Sequence, residues 1–115
     1  MIGRLARSWA ARVAVVGESM APTLLGGDWL LADPEAYRDR DPVVGDLVLH
    51  PDPREPRRLL VKRVSRIDPD GRLHVAGEAA AASTDSRTFG VVDPGTVTGQ
   101  PWFRYWPLRR VGRVR

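Results

Sequence analysis

The sequence predicts an all-β domain built from packed antiparallel sheets. Short apolar segments recur along the chain, and glycine and proline separate them, with 11 Gly and 10 Pro in 115 residues. None of the intervening segments has the length and periodicity of a core helix. Hydrophobic residues make up 43% of the chain and charged residues 28%, a composition that folds. The length suits a single domain.

Residues 1–12 are expected to form an N-terminal arm or short helix, and the single domain covers 13–115. Turn residues divide that domain into six predicted strands. These strands are Val13–Val16, Trp29–Ala32, Asp46–His50, Leu59–Ile67, Arg72–Ala76 and Val97–Tyr105. The sequence Asp-Pro-Asp-Gly at 68–71 is typical of a hairpin turn, 51–56 is expected to be an exposed connection, and the basic tail is expected to be mobile at its end.

Several classes of site are excluded by composition. The chain has no cysteine, so a disulfide, a thiolate metal site and a cysteine nucleophile are ruled out. His50 and His74 lack the spacing of metal ligands, so neither a metal nor a cofactor is predicted. No apolar run reaches the length of a membrane-spanning helix. We therefore expect a cytoplasmic protein, with peripheral attachment to a membrane as the alternative.

One residue stands out by its type. The 18 basic residues comprise seventeen arginines and a single lysine, Lys62. A guanidinium keeps its proton in proteins, whereas an amine is able to act as a base. Ser19 lies in a predicted strand-to-turn corner, GESMAPTL at 17–24, where a hydroxyl has nearby backbone N–H groups. From the residues alone, Ser19 has either a catalytic role or only a turn role.

The segment SMAPTL at 19–24 resembles the nucleophile box of the type I signal peptidases. Four further segments resemble that family in the same order: GDLVLH at 45–50, VKRV at 61–64, GEAAAASTDSRTFG at 77–90 and GQPWFRYWPLRRVG at 99–112. The resemblance covers nearly the whole chain beyond residue 13. It implies the all-β catalytic core that signal peptidases share with LexA-like domains.

The resemblance also implies roles for individual residues. Ser19 would be the nucleophile, with its backbone N–H as an oxyanion donor, and Lys62 would be the general base. Ser83 would orient the amine, and an Asp85–Arg87 salt bridge would support its loop. The residues that support the dyad by this resemblance are Met20, Pro22, Ser83, Asp85 and Arg87.

A lysine base requires a suitable environment. Its pKa must fall from about 10.4 to roughly 7 or 8, which needs burial. The two-residue strand period places Leu60 and Val64 on the face of Lys62 and turns Arg63 the other way. The alternative is a lysine that faces solvent on an edge strand.

Two departures from the family pattern concern the site. Gly17 occupies the position where many members carry a serine or threonine hydroxyl as an oxyanion donor, so slow turnover is expected. Glu78 and Ala79 replace the usual Asp-Asn after Gly77, which weakens the expected hydrogen bonds of that loop.

The predicted function is that of a serine endopeptidase that removes an N-terminal leader from a precursor protein. The short, unanchored chain resembles the maturation protease of nickel-type superoxide dismutase, which makes that precursor a candidate substrate. One alternative is a LexA-type self-cleaving domain, although no DNA-binding domain precedes Ser19. Another is a non-catalytic basic module whose C-terminal aromatics and arginines bind nucleic acid or a membrane surface. We expect those aromatics to complete the core, and therefore no nucleic-acid partner.

Overall fold

The computed structural model describes residues 11–79 and 90–115, and these form seven strands. The strands are β1 Ala11–Ala14, β2 Trp29–Asp33, β3 Leu47–Asp52, β4 Glu55–Ile67, β5 Leu73–Ala76, β6 Gln100–Trp106 and β7 Gly112–Arg113. Single turns of 3-10 helix cover Pro94–Thr96 and Leu108–Arg110. The all-β prediction is confirmed.

The strands are arranged in two antiparallel sheets. One sheet has the order β1-β2-β6-β7 and the other the order β3-β4-β5. The sheets meet at Leu49 of β3, whose N–H donates to the Gly99 carbonyl at 2.9 Å and whose carbonyl accepts from the Thr98 N–H at 2.8 Å. These bonds tie the start of β6 to the middle of β3.

Two apolar clusters make up the core, and β3 lies between them. Leu47 belongs to the first cluster and its neighbour Val48 to the second, because successive side chains of a strand point to opposite faces. The first cluster comprises Met20, Leu24, Leu30, Leu47 and Val114, and the second comprises Val48, Val64, Leu73, Val75 and Val92. The β3–β4 pair is therefore covered by apolar side chains on both faces.

The hairpin between β4 and β5 forms where the turn residues predict it. The Asp68 N–H donates to the Arg72 carbonyl and the Gly71 N–H to the Asp68 carbonyl, both at 2.9 Å. Gly71 has φ +89°, a conformation that glycine adopts without strain.

The ends of several predicted segments differ from expectation. β1 covers Ala11–Ala14 and not the predicted Val13–Val16, so the last two residues of the predicted 1–12 arm belong to a strand, and the rest of that arm lies outside the described residues. β3 continues through Pro51 and Asp52, so the connection to β4 is shorter than the predicted 51–56. The basic tail is ordered: β7 pairs with β6, and Val114 is buried in the first cluster. The expectation that this tail is mobile at its end is therefore wrong, because strand pairing and the buried Val114 fix the tail to the core.

Candidate active site

Lys62 lies in the middle of β4, opposite Val48 of β3, and is 2% exposed. Leu60 and Val64, on the same face of the strand, are also buried. Arg63 points to the other face, where its Nη1 donates to the Gly45 carbonyl at 2.8 Å. The expected apolar flanks are present, and the alternative of a solvent-facing lysine is wrong.

His50 is a second titratable residue buried on this face. It lies on β3 opposite Leu60, diagonally across from Lys62, and has no exposed surface. Its Nδ1 lies 2.9 Å from the Pro51 carbonyl oxygen. In the tautomer that carries the proton on Nδ1, this nitrogen donates a hydrogen bond to that carbonyl. Burial is the main cause that lowers the pKa of His50. The hydrogen bond with Pro51 opposes it, a positive charge on Lys62 would lower the pKa further, Asp52 raises it slightly, and the lowering prevails. The imidazole is thus held neutral beside the candidate base.

Ser19 lies in the turn that follows β1, and its neighbour fixes that turn to the core. Met20 is 2% exposed and packs in the first apolar cluster. The Ala21 N–H donates to the Glu18 carbonyl at 3.0 Å and the Leu24 N–H to the Met20 carbonyl at 2.9 Å. Pro22 lies inside this bonded turn, which places the hydroxyl of Ser19 on an ordered backbone.

Glu78 links the Ser19 turn to the strand that carries Lys62. Its carboxylate accepts from the Thr23 hydroxyl at 2.5 Å and from Arg63 Nε at 2.9 Å. The adjacent Ala79 N–H donates to the Ser19 carbonyl at 2.9 Å. Burial alone would raise the pKa of Glu78, but the bonds from Thr23 and Arg63 outweigh it and lower that pKa. A charged carboxylate therefore joins the two halves of the site.

Asp28 anchors the other end of the same turn. This buried carboxylate accepts from the Leu25 N–H at 2.9 Å, from Arg104 Nη1 at 3.0 Å and from Arg110 Nη2 at 3.2 Å. Arg104 Nη1 also donates to the Thr23 carbonyl at 2.9 Å. Burial raises the pKa of Asp28, whereas these hydrogen bonds and the Arg104 charge lower it, and the lowering prevails.

Ser19 and Lys62 line the same cavity, which has a volume of about 430 Å³. One wall runs from Val13 to Met20 and the other from Arg58 to Lys62. β1 is at the end of its sheet, and β5 pairs with β4 only from Arg63 onward. Within the described residues, two strand edges without a partner strand thus border the cavity.

Of the remaining positions singled out from the sequence, the structure describes Gly17 but not the 83–87 segment. Gly17 has φ +81°, so its backbone lies in the left-handed region, which a serine or threonine adopts only with strain. Ser83, Asp85 and Arg87 lie outside the described residues.

Sequence patterns missed the polar residues that hold the Ser19 turn. Asp28 and Arg104 are 76 residues apart in the chain, and Thr23 and Glu78 are 55 apart. No local pattern relates partners at such distances. Glu78 is noticeable in the sequence only as a departure from the family's Asp-Asn, and Asp28 only as an acid after a pair of glycines.

The family model described as "Signal peptidase, peptidase S26" matches residues 1–70 of this chain. The chain belongs to the signal peptidase S26 family. The Arabidopsis thaliana mitochondrial ATP-independent inner membrane protease subunit 1a is 35% identical to this S26 chain, over 88% of the chain and 73% of the relative. Human mitochondrial inner membrane protease subunit 1 is 27% identical, over 86% of this chain and 71% of the human protein. Signal peptidase IB of Staphylococcus aureus is 40% identical, over 38% of this chain and 23% of the bacterial protein.

S26 membership confirms the resemblance to signal peptidases and makes this chain a peptidase of the leader-cleaving kind. The cytoplasmic location expected from the sequence is wrong. Two of the relatives named above are mitochondrial inner membrane protease subunits, which points to membrane association instead. No helix in the described part of this S26 chain is long and apolar enough to cross a bilayer.

Proposed function

We propose that this S26 peptidase is a serine endopeptidase with a Ser19/Lys62 dyad that removes an N-terminal leader from a precursor protein. The observation that carries the proposal is the shared cavity: Ser19 and Lys62 both line it, and Lys62 is 2% exposed. Burial disfavours the charged form of an amine, and a neutral amine is what a lysine base requires. Leu60 and Val64 supply the apolar surroundings.

The reaction follows from this pair of residues. Ser19 Oγ attacks the scissile carbonyl carbon while the Lys62 amine takes the hydroxyl proton. The backbone N–H of Ser19, which donates to no described residue, is the donor for the oxyanion. When the intermediate collapses, the Lys62 ammonium returns the proton to the leaving amine. Water then attacks the acyl-enzyme with Lys62 again as base, and Ser19 Oγ leaves with a proton.

The substrate fits this cavity as an extended strand. A peptide that enters between the edges of β1 and β4 would gain main-chain hydrogen bonds from both, as in other cases of strand addition. The side chains next to the scissile bond are expected to be small, and the buried Met20 and Leu60 line the cavity as apolar surface against which such side chains would fit. The precursor of nickel-type superoxide dismutase is one candidate, and membrane-delivered precursors are another.

Peripheral contact with a membrane belongs to the same proposal. Trp29 and Trp106 are 44% and 43% exposed, and their rings stack with centroids 5.5 Å apart. Strand register aligns Ala14, Trp29 and Trp106 in one row, and Val16, which follows Ala14 at the cavity wall, is 91% exposed. Tryptophan favours the membrane interface. The exposed row would therefore place the cavity close to the bilayer surface.

The dyad is tested by incubating the protein with leader-bearing precursors, including that of nickel-type superoxide dismutase, and by reading new amino termini with mass spectrometry. We expect one new terminus for a true substrate, and none with Ser19→Ala or Lys62→Arg. Ser65→Ala is the matched control, because Ser65 is an exposed β4 residue bonded to the His74 carbonyl. Unchanged cleavage by Ser19→Ala would remove the dyad, and cleavage confined to the chain itself would favour the self-cleaving alternative.

Membrane contact is tested by co-flotation with vesicles of phosphatidylcholine and phosphatidylglycerol. We expect the double variant Trp29→Ser with Trp106→Ser to lose most of the binding. The control is Val43→Ser with Val44→Ser, since these residues are 53% and 60% exposed but precede β3. Equal loss in both variants would contradict a specific membrane-facing row.

A further inference from the structure

A positive charge lies at the end of the cavity that is remote from the dyad. Arg58 lines the cavity and precedes Lys62 by four residues on β4. Because side chains alternate along a strand, Arg58, Leu60 and Lys62 share one face. At about 3.3 Å per residue, the backbone positions of Arg58 and Lys62 are about 13 Å apart.

The guanidinium of Arg58 is available to a ligand. It is exposed and makes no hydrogen bond or salt bridge with any described residue. Asp52, whose pKa the charge of Arg58 helps to lower, is paired with Arg54 at 3.1 Å, and Arg54 is the main cause of that lowering. The neighbouring Arg57 is also exposed, but it lies on the opposite face of β4 and does not line the cavity.

A negatively charged side chain lies at the other end of the cavity, next to Ser19. Glu18 lines the cavity next to Ser19, and its Oε1 accepts from the Gly26 N–H at 3.3 Å. An acidic substrate side chain beside the scissile bond would meet this carboxylate and be disfavoured. The same side chain near Arg58 would be favoured. The cavity therefore carries a charge gradient along the direction in which an extended peptide would lie.

We propose that Arg58 is a specificity-determining residue that selects an acidic side chain four residues from the scissile bond, on the part of the substrate that lies in the cavity. The inference rests on the proposed peptidase function. A peptide added to the β4 edge rises as β4 does, so its fourth residue from the one beside Lys62 lies beside Arg58, on the same face. Opposite charges directly across a strand pair attract, and like charges repel.

The experiment uses fluorogenic decapeptides with alanine on both sides of the scissile bond. Glu, Gln or Lys is placed at the fourth position from that bond, on each side in turn. We expect kcat/KM to be about three- to ten-fold higher for Glu than for Lys on one side, with Gln between them. The preference should shrink as salt is raised, because exposed charges are screened.

Variants of Arg58 and Arg57 distinguish the effect of the charge in the cavity from the effect of the protein's net charge. Arg58→Glu should reverse the preference and Arg58→Gln should abolish it, whereas Arg57→Glu makes the same change in net charge and should preserve it. Equal cleavage of the Glu and Lys peptides on both sides would overturn the inference, as would a reversal by Arg57→Glu. A wild-type protein that cuts none of the peptides would instead count against the proposed Ser19/Lys62 endopeptidase and not against the role of Arg58.

Discussion

The two halves of the candidate site are held in place by different physical means. Lys62 is fixed by strand register and by apolar neighbours in the β3–β4 pair. The Ser19 turn has two buried apolar anchors, Met20 and Leu24, together with backbone hydrogen bonds and side-chain hydrogen bonds from distant elements. Glu78 joins the two halves. Polar contacts with distant elements thus contribute more to the position of the nucleophile than to that of the base, so mutations in the two regions should have different effects.

The largest expected effect comes from Lys62→Met. Cleavage should fall by at least about 10³-fold, because the methionine has no amine to accept the serine proton. The free energy of unfolding should change far less than the activation free energy, since an apolar side chain of similar length fills the same buried space. Urea unfolding and single-turnover cleavage measure the two effects. A strong loss of stability would show that the amine has a structural role as well.

The next largest effect is on the Ser19 turn. Asp28→Ala should lower the free energy of unfolding by about 3 to 5 kcal/mol, because it leaves the Arg104 and Arg110 guanidiniums without their carboxylate. Asp70→Ala is the control: its pair with Arg72 is more than 60% exposed on both sides, so a change of at most about 1 kcal/mol is expected. Urea titrations of both variants measure the difference. Equal losses of unfolding free energy would contradict the role of Asp28 as an anchor of the Ser19 turn.

Glu78→Gln should have a smaller effect that falls on catalysis more than on stability. The amide keeps the size of the side chain but loses its charge and one acceptor oxygen for Thr23 and Arg63. We expect kcat/KM to fall roughly ten-fold through loss of alignment between the dyad residues. Thermal unfolding should change by only a few degrees. An unchanged kcat/KM would show that the Ser19 turn holds its position without this contact.

The smallest effect is a dependence of stability on pH. The folded-state pKa of Glu78 is lowered from its ordinary value of 4.5. Its stabilising contribution is therefore present above about pH 4.5 and is lost as the pH falls through the lower, folded-state pKa. The melting temperatures of the wild type and Glu78→Gln should converge over that acid range. A constant difference across it would contradict the role of the charged carboxylate.

The same contrast explains which features the sequence predicts. Leu60 and Val64 beside Lys62 follow from strand alternation, and the 68–71 turn follows from local residue preferences, so both were predictable. Asp28 and Glu78 act through partners more than fifty residues away, which only the folded chain brings together. Val114 was misjudged because one apolar residue among arginines has no periodicity. The roles of Ser19, Lys62, Ser83, Asp85 and Arg87 stay predictions.

The left-handed backbone at Gly17 has a consequence for how this site could evolve. A serine there would add the hydroxyl that many signal peptidases use as an oxyanion donor, but at φ +81° it would cost about 1 to 2 kcal/mol. The added Cβ itself would meet no atom within 4 Å, so the obstacle is torsional and not steric crowding. A single codon change is therefore a poor route to that donor. The turn would have to be remodelled first, and the hydroxyl acquired afterwards.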